Sequence, residues 1–172
     1  MKIAVLLADG MEELEALTPV DVLRRANATV DMVSIGEETV TGSHGISVTS
    51  DKLLCDCNLS SYDALVLPGG MPGAKNLSEN ATVVLEIEKA LRENRLVSAI
   101  CASPAVILAK HNLLGDKKAT CYPAPDFINA LNKNYTGENV TVSDNLITAN
   151  GPKSAFEFSF AICKYLNLTP KF

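Results

Sequence analysis

The stretch Leu96-Val97-Ser98-Ala99-Ile100-Cys101-Ala102-Ser103-Pro104-Ala105 decides the fold. An apolar, strand-like run passes directly into a helical pattern, so Cys101 falls on a sharp strand-to-helix turn. Ala99 and Ser103, two residues to either side, are both small. A nucleophile elbow requires this, because its tight turn crowds those side chains. Pro104 suits an early helical position, where it has no hydrogen bond to lose. Unpaired backbone N–H groups at a helix start favour a thiolate, which predicts a lowered pKa for Cys101. The same residues also fit a buried structural cysteine.

Working outward, the periodicity predicts strands over 3–8, 29–35, 64–67, 96–100, 118–121, 140–143 and 146–149. It predicts helices over 12–26, 80–94 (with Asn80 as N-cap), 102–111 and 154–166. The segment 40–61 reads as small strands and turns. Strands that alternate with helices and have apolar interiors imply an α/β fold with a mostly parallel sheet covered on both faces. Sites in such sheets lie at the carboxyl ends of the strands. No linker, repeat or low-complexity segment interrupts the chain, so 1–172 is expected to be one domain.

Composition narrows the function classes. A net charge of −5 and the lack of basic clusters argue against a nucleic-acid partner. No run approaches the length of a spanning helix, and the N-terminal apolar run is too short for a signal peptide, so a cytoplasmic protein is expected. Five cysteines form no disulfide framework, which fits reduced thiols. Cys55-x-Cys57 hints at metal, but with only His44 and His111 in the chain no closed zinc site assembles, and no metal or cofactor is expected.

Glu15 is the second candidate for chemistry. Thr18, Pro19, Val22 and Ala26 share its helix face, and that stripe is mostly apolar. Glu15 is therefore expected to point inward while Glu12 and Glu13 face solvent. A partly buried carboxyl has a raised pKa, useful for proton transfer or for sharing a proton with a thiolate. A solvated first-turn glutamate remains the alternative. Pro68-Gly69-Gly70 follows a buried strand, where two glycines let backbone N–H groups approach a ligand as an oxyanion hole or simply turn the chain. Gly151-Pro152, before the last helix, fits an anion site or a plain turn. His44 reads as a solvated loop residue and His111 as a helix cap.

Five stretches together resemble the ThiJ/PfpI family, in its DJ-one branch of deglycases. They are Gly10-Met11-Glu12-Glu13-Leu14-Glu15, the run from Pro19 to Ala26, Leu67-Pro68-Gly69-Gly70 with Gly73-Ala74, Ala99-Ile100-Cys101-Ala102-Ser103-Pro104, and Gly151-Pro152 with Phe156-Glu157-Phe158. The resemblance implies a flavodoxin-like three-layer sandwich, usually homodimeric, that needs no cofactor. It implies Cys101 as nucleophile, Glu15 as the adjacent carboxyl, and the backbone of Gly69, Gly70 and Ala102 as site walls. The activity it implies is glyoxalase or deglycase chemistry on methylglyoxal or its adducts. The alternative it implies is a redox sensor or protective protein whose Cys101 oxidises to a sulfinate. The protease branch carries His directly after its Cys; Ala102 stands there instead, which argues against a peptidase. Many relatives carry His in a Thr-x-His-Pro-like context, where this chain reads Thr120-Cys121-Tyr122-Pro123. Tyr122 thus replaces that histidine beside the substrate.

Overall fold

Residues 1–172 are described by a computed structural model. In chain order the elements are β1 (Lys2–Leu7), α1 (Glu13–Arg25), β2 (Thr29–Ser34), β3 (Thr39–Thr41), β4 (Ser47–Thr49), β5 (Lys52–Leu53) and β6 (Ala64–Leu67). Then come α2 (Gly73–Glu79), α3 (Ala81–Arg92), β7 (Leu96–Ile100), a wide helix over Pro104–Ala109, α4 (Pro125–Leu131), β8 (Val140–Ser143), β9 (Leu146–Ala149) and α5 (Ala155–Tyr165).

The apolar runs of β1, β6 and β7 are buried along almost their whole length, so these strands occupy the middle of the sheet. Seven strands lie in the order β5-β2-β1-β6-β7-β9-β8. All neighbours are parallel except β8, which runs antiparallel to β9. Successive side chains alternate between faces. Ile3, Val5 and Leu7 join α1 and α5 in one core cluster of 22 buried residues, and Ala4 and Leu6 join a second of 22 on the opposite face, with α3, α4 and the wide helix. The equal coverage makes the molecule the three-layer, flavodoxin-like sandwich that was expected. No helix is long and apolar enough to cross a membrane.

The structure corrects three local expectations. Residues 118–121 form no strand; Ala119 makes a single bridge to Tyr135. Both edges of β9 are already occupied, by β7 and β8. Thr120 is held through side chains instead, its N–H donating to Thr148 Oγ1 at 2.8 Å and its hydroxyl to Glu138 O at 2.7 Å. The helix expected over 102–111 is a wide one confined to Pro104–Ala109, with Lys110 N–H reaching Ala105 O and Leu113 N–H reaching Leu108 O, five residues back. Helices α2 and α4, each of seven residues, lacked a side-chain cap that would have announced them. Asn80 does cap α3, accepting from Val83 N–H at 3.1 Å.

The loop after β1 crosses the loop after β6 at backbone contact. Glu12 N–H donates to Gly69 O at 3.0 Å. Gly70 sits at φ +82°, and a Cβ there would run into the backbone of Gly10, Met11 and Glu12. Gly70→Ala is therefore expected to destabilise the fold by about 2–4 kcal/mol, combining the left-handed backbone and the collision. Urea denaturation measures it; a change below about 0.5 kcal/mol would mean the crossing tolerates a side chain.

Candidate active site

Cys101 has φ +64°. That angle costs a residue with a Cβ about 1–2 kcal/mol. The strain is held by the surroundings. Cys101 N–H donates to Ala149 O at 2.9 Å, continuing the β7–β9 ladder, and its carbonyl accepts from Tyr122 N–H at 2.8 Å. The buried Ser103 hydroxyl donates to Pro68 O at 2.5 Å, tying this turn to the Gly69-Gly70 turn. Sequence reasoning noted Ser103 only for its small size. The result lifts the half-buried Cys101 side chain off the end of β7, with its sulfur facing the N–H groups of Gly70 and Ala102.

Glu15 arrives from α1. Glu12 is the N-cap of that helix, and its Oε2 accepts from Glu15 N–H at 2.8 Å. The apolar stripe does turn Glu15 inward, where it is fully buried. Its Oε2 accepts from Gly69 N–H at 2.8 Å. Its Oε1 is buried and has no hydrogen-bond partner, and the Cys101 thiol stands close enough to the carboxyl to act on its charge. Gly69 makes this approach possible. A Cβ there would lie 2.5 Å from Glu15 Oε2 and 2.6 Å from Cys101 Cβ.

The electrostatics correct the sequence expectation for the thiol. Burial, then the Glu15 charge and its hydrogen bond, push Cys101 up to about 12, against the opposing pull of the Gly70 and Ala102 N–H groups. The helix start does not win, because the site is sparsely hydrated and already holds a carboxyl. Burial likewise raises Glu15 to about 7, helped by the Glu12 charge and resisted by hydrogen bonds from Cys101 and Gly69. Such closely coupled groups titrate as a pair. Between about 7 and about 12 the pair carries one negative charge and shares one proton. The proton of a neutral Glu15 belongs on Oε1, since Oε2 is engaged as an acceptor.

Cys101, Glu15, Gly69, Gly70 and Ala102 thus converge at the carboxyl ends of β6 and β7. Tyr122 joins through its backbone. Its half-exposed ring instead walls a hollow of about 360 Å³, lined by Tyr122, Pro123, Asn150, Gly151, Pro152 and Lys153. Sequence reasoning named Gly151-Pro152 but missed Asn150 and Lys153.

Glu13 departs from expectation. It is buried at 4% exposure, because the turn between β3 and β4 covers it. Its carboxylate accepts from His44 N–H at 2.7 Å and from His44 Nδ1 at 2.8 Å. Burial opposes ionisation, yet these bonds and one from Ile46 N–H hold Glu13 down at about 2. The same bond and the Glu13 charge raise the exposed His44. With Glu12 these groups place three potential ligand atoms within 4.8 Å, but the Glu13 oxygens are already spent on fastening the hairpin turn.

Residues 1–165 match the DJ-1/PfpI family profile. Protein DJ-1 homolog B of Arabidopsis thaliana is 39% identical over 162 residues, 94% of this chain but 37% of that longer protein. The glutathione-independent glyoxalase DJR-1.2 of Caenorhabditis elegans is 31% identical over 158 residues, 92% of this chain and 84% of that one. The solved structure of oxidised Toxoplasma gondii DJ-1 superimposes with a TM-score of 0.91 at 37% identity, covering 96% of this chain and 90% of that one. With the family profile matched over nearly the whole chain and relatives at 31–39% identity, this protein belongs to the DJ-1/PfpI family.

Proposed function

We propose that the chain is a cofactor-free, Cys101-dependent glyoxalase or deglycase acting on methylglyoxal or its adducts. The observation that carries this reading is the fully buried Glu15 carboxyl beside the Cys101 thiol, its Oε1 left without a hydrogen-bond partner. The glyoxalase among the relatives supports the reaction class.

The thiolate adds to the aldehyde carbon, forming an S–C bond, and the carbonyl electron pair moves to oxygen. Gly70 and Ala102 N–H groups stabilise that oxyanion, and Glu15 Oε1 supplies its proton. The Glu15 carboxylate then removes the proton from the former aldehyde carbon and returns it to the adjacent ketone carbon through an enediol. One carbon is oxidised and its neighbour reduced, so no external oxidant or reductant enters. Water cleaves the resulting thioester, releasing lactate and the thiol.

A second reading is a redox sensor, in which Cys101 is oxidised to a sulfinate seated against the same N–H groups and a protonated Glu15. The oxidised state of the similar Toxoplasma structure favours it. Free cysteines throughout fit a reducing compartment, and a cytoplasmic location belongs to either reading. So does a homodimer. The adjacent α1 and α5 leave Leu14, Phe156 and Phe160 exposed, with the two phenylalanine rings 6.3 Å apart, and a second copy would cover this face.

Lactate release from methylglyoxal is expected to fall about a thousandfold or more in Cys101→Ala and about a hundredfold in Glu15→Gln. It is also expected to decline as pH drops below about 7, where the pair becomes neutral. Equal turnover by wild type and Cys101→Ala would leave the redox reading. Removing the Glu15 charge should lower the thiol pKa from about 12, so ultraviolet titration of Glu15→Gln reads the sharing directly. An unchanged or higher value would show that the carboxyl does not govern the thiol. Sedimentation is expected to give a dimer for wild type and a monomer for Phe160→Glu; identical profiles would move the contact elsewhere.

A further inference from the structure

The hollow beside the elbow differs in charge from the rest of the site. Glu15 stands against the thiol with the Glu12 charge acting on it, and the Glu15–Cys101 pair carries a negative charge above about 7. The lining of the hollow contains no acid. Of its six lining residues, Lys153 is the charged one. The Lys153 ammonium makes no ion pair or hydrogen bond within the chain. The other polar groups facing the hollow include donors. Tyr122 contributes a phenol. Asn150 commits one N–H of its amide to Asn139 Oδ1 at 3.1 Å and its oxygen to the Ser154 hydroxyl at 2.7 Å, which leaves its second N–H free. The hollow is also joined to the nucleophile. Tyr122 hangs from the Cys101 carbonyl, and Asn150 follows Ala149, the residue that receives Cys101 N–H. Gly151 lies directly beside the Tyr122 ring, where even a Cβ would sit only 3.4 Å from it.

An unpaired cation and free N–H and O–H donors, with no acid beside them, match a carboxylate. We propose that Lys153 makes this hollow a carboxylate subsite, so that the preferred substrate is an α-oxoaldehyde, free or as an adduct, bearing a carboxylate at the end remote from its aldehyde. This deepens the reading above and rests on it. The aldehyde carbon lies at Cys101 and the carboxylate at Lys153, with Tyr122 along the chain between them. Methylglyoxal, whose methyl group carries no charge, would leave the subsite unused. About 360 Å³ is ample for a three- to four-carbon extension. The negative charge of the Glu15–Cys101 pair repels the same carboxylate, so charge favours the aldehyde end at the thiol.

The probe is 4,5-dioxopentanoate, in which a propionate chain replaces the methyl group of methylglyoxal. Water addition and the internal oxidation–reduction described above convert it to hydroxyglutarate, with atoms and electrons balanced. The measured quantity is kcat/KM for this compound divided by kcat/KM for methylglyoxal. Wild type should favour the charged substrate, and added salt should erode the preference. Lys153→Met should lower the ratio about fivefold, Lys153→Glu should lower it further, and Lys153→Arg should keep it. Calorimetric binding of hydroxyglutarate to wild type and to Lys153→Met gives a readout that needs no turnover. Lys153-dependent binding without turnover would uphold the carboxylate subsite and sink the proposed reaction. Turnover of methylglyoxal with ratios and binding unaffected by Lys153→Met and Lys153→Glu would overturn the subsite and leave the reaction standing.

Discussion

The hydrogen bond from Gly69 N–H to the Glu15 carboxylate, at 2.8 Å, is the contact on which the site depends. It joins the first helix to the turn that follows β6, beside Cys101. In the sheet, β1 and β6 are neighbours, with β2 and β5 continuing to one side and β7, β9 and β8 to the other. The chain's direction of winding reverses between them, and such a reversal opens a crevice at the carboxyl ends of the strands. Here the crevice is bridged rather than left open. Glu12 N–H bonds to Gly69 O while Gly69 N–H bonds to Glu15, so the two loops are stitched in both directions across one glycine.

Burying a carboxyl at such a junction is costly unless its charge is shared or neutralised. The protein does both. Glu12 and Gly69 satisfy the backbone and one oxygen, and the nearby thiol shares the charge. A single negative charge over two acids is easier to hold in a buried site than two charges, which is why the Glu15 carboxyl is raised to about 7 while the thiol is driven far into the basic range. The nearby Glu13 solves the same problem differently. Its several donors keep it fully ionised, so it acts as a structural anchor for the β3–β4 turn rather than as a proton carrier.

Much of this was legible in the sequence. The continuous apolar runs around Ile3 and Val66 announced buried parallel strands, and the small residues flanking Cys101 announced the elbow. The inward aim of Glu15 followed from the stripe formed by Pro19 and Val22. The failures are physical in kind. Glu13 looked solvated because nothing local reveals that a turn thirty residues later covers it. The thiol pKa was misjudged because helix-start geometry is local, whereas burial and the Glu15 charge come from tertiary packing. The segment near Ala119 had strand-like residues, but no sheet edge was free to receive it. Lys153 gave no signal, since one lysine among fifteen basic residues has no meaning until the hollow it faces is known.

The backbone of Cys101 carries a further implication. Its left-handed angle would suit glycine better than any residue with a side chain. The position proposed to carry the chemistry is therefore also one where substitution by glycine relieves the backbone. A cysteine can persist there only against a continuing thermodynamic drift. In a lineage with no use for the sulfur, glycine would be the natural end point, and the elbow would survive as a shape emptied of its reagent.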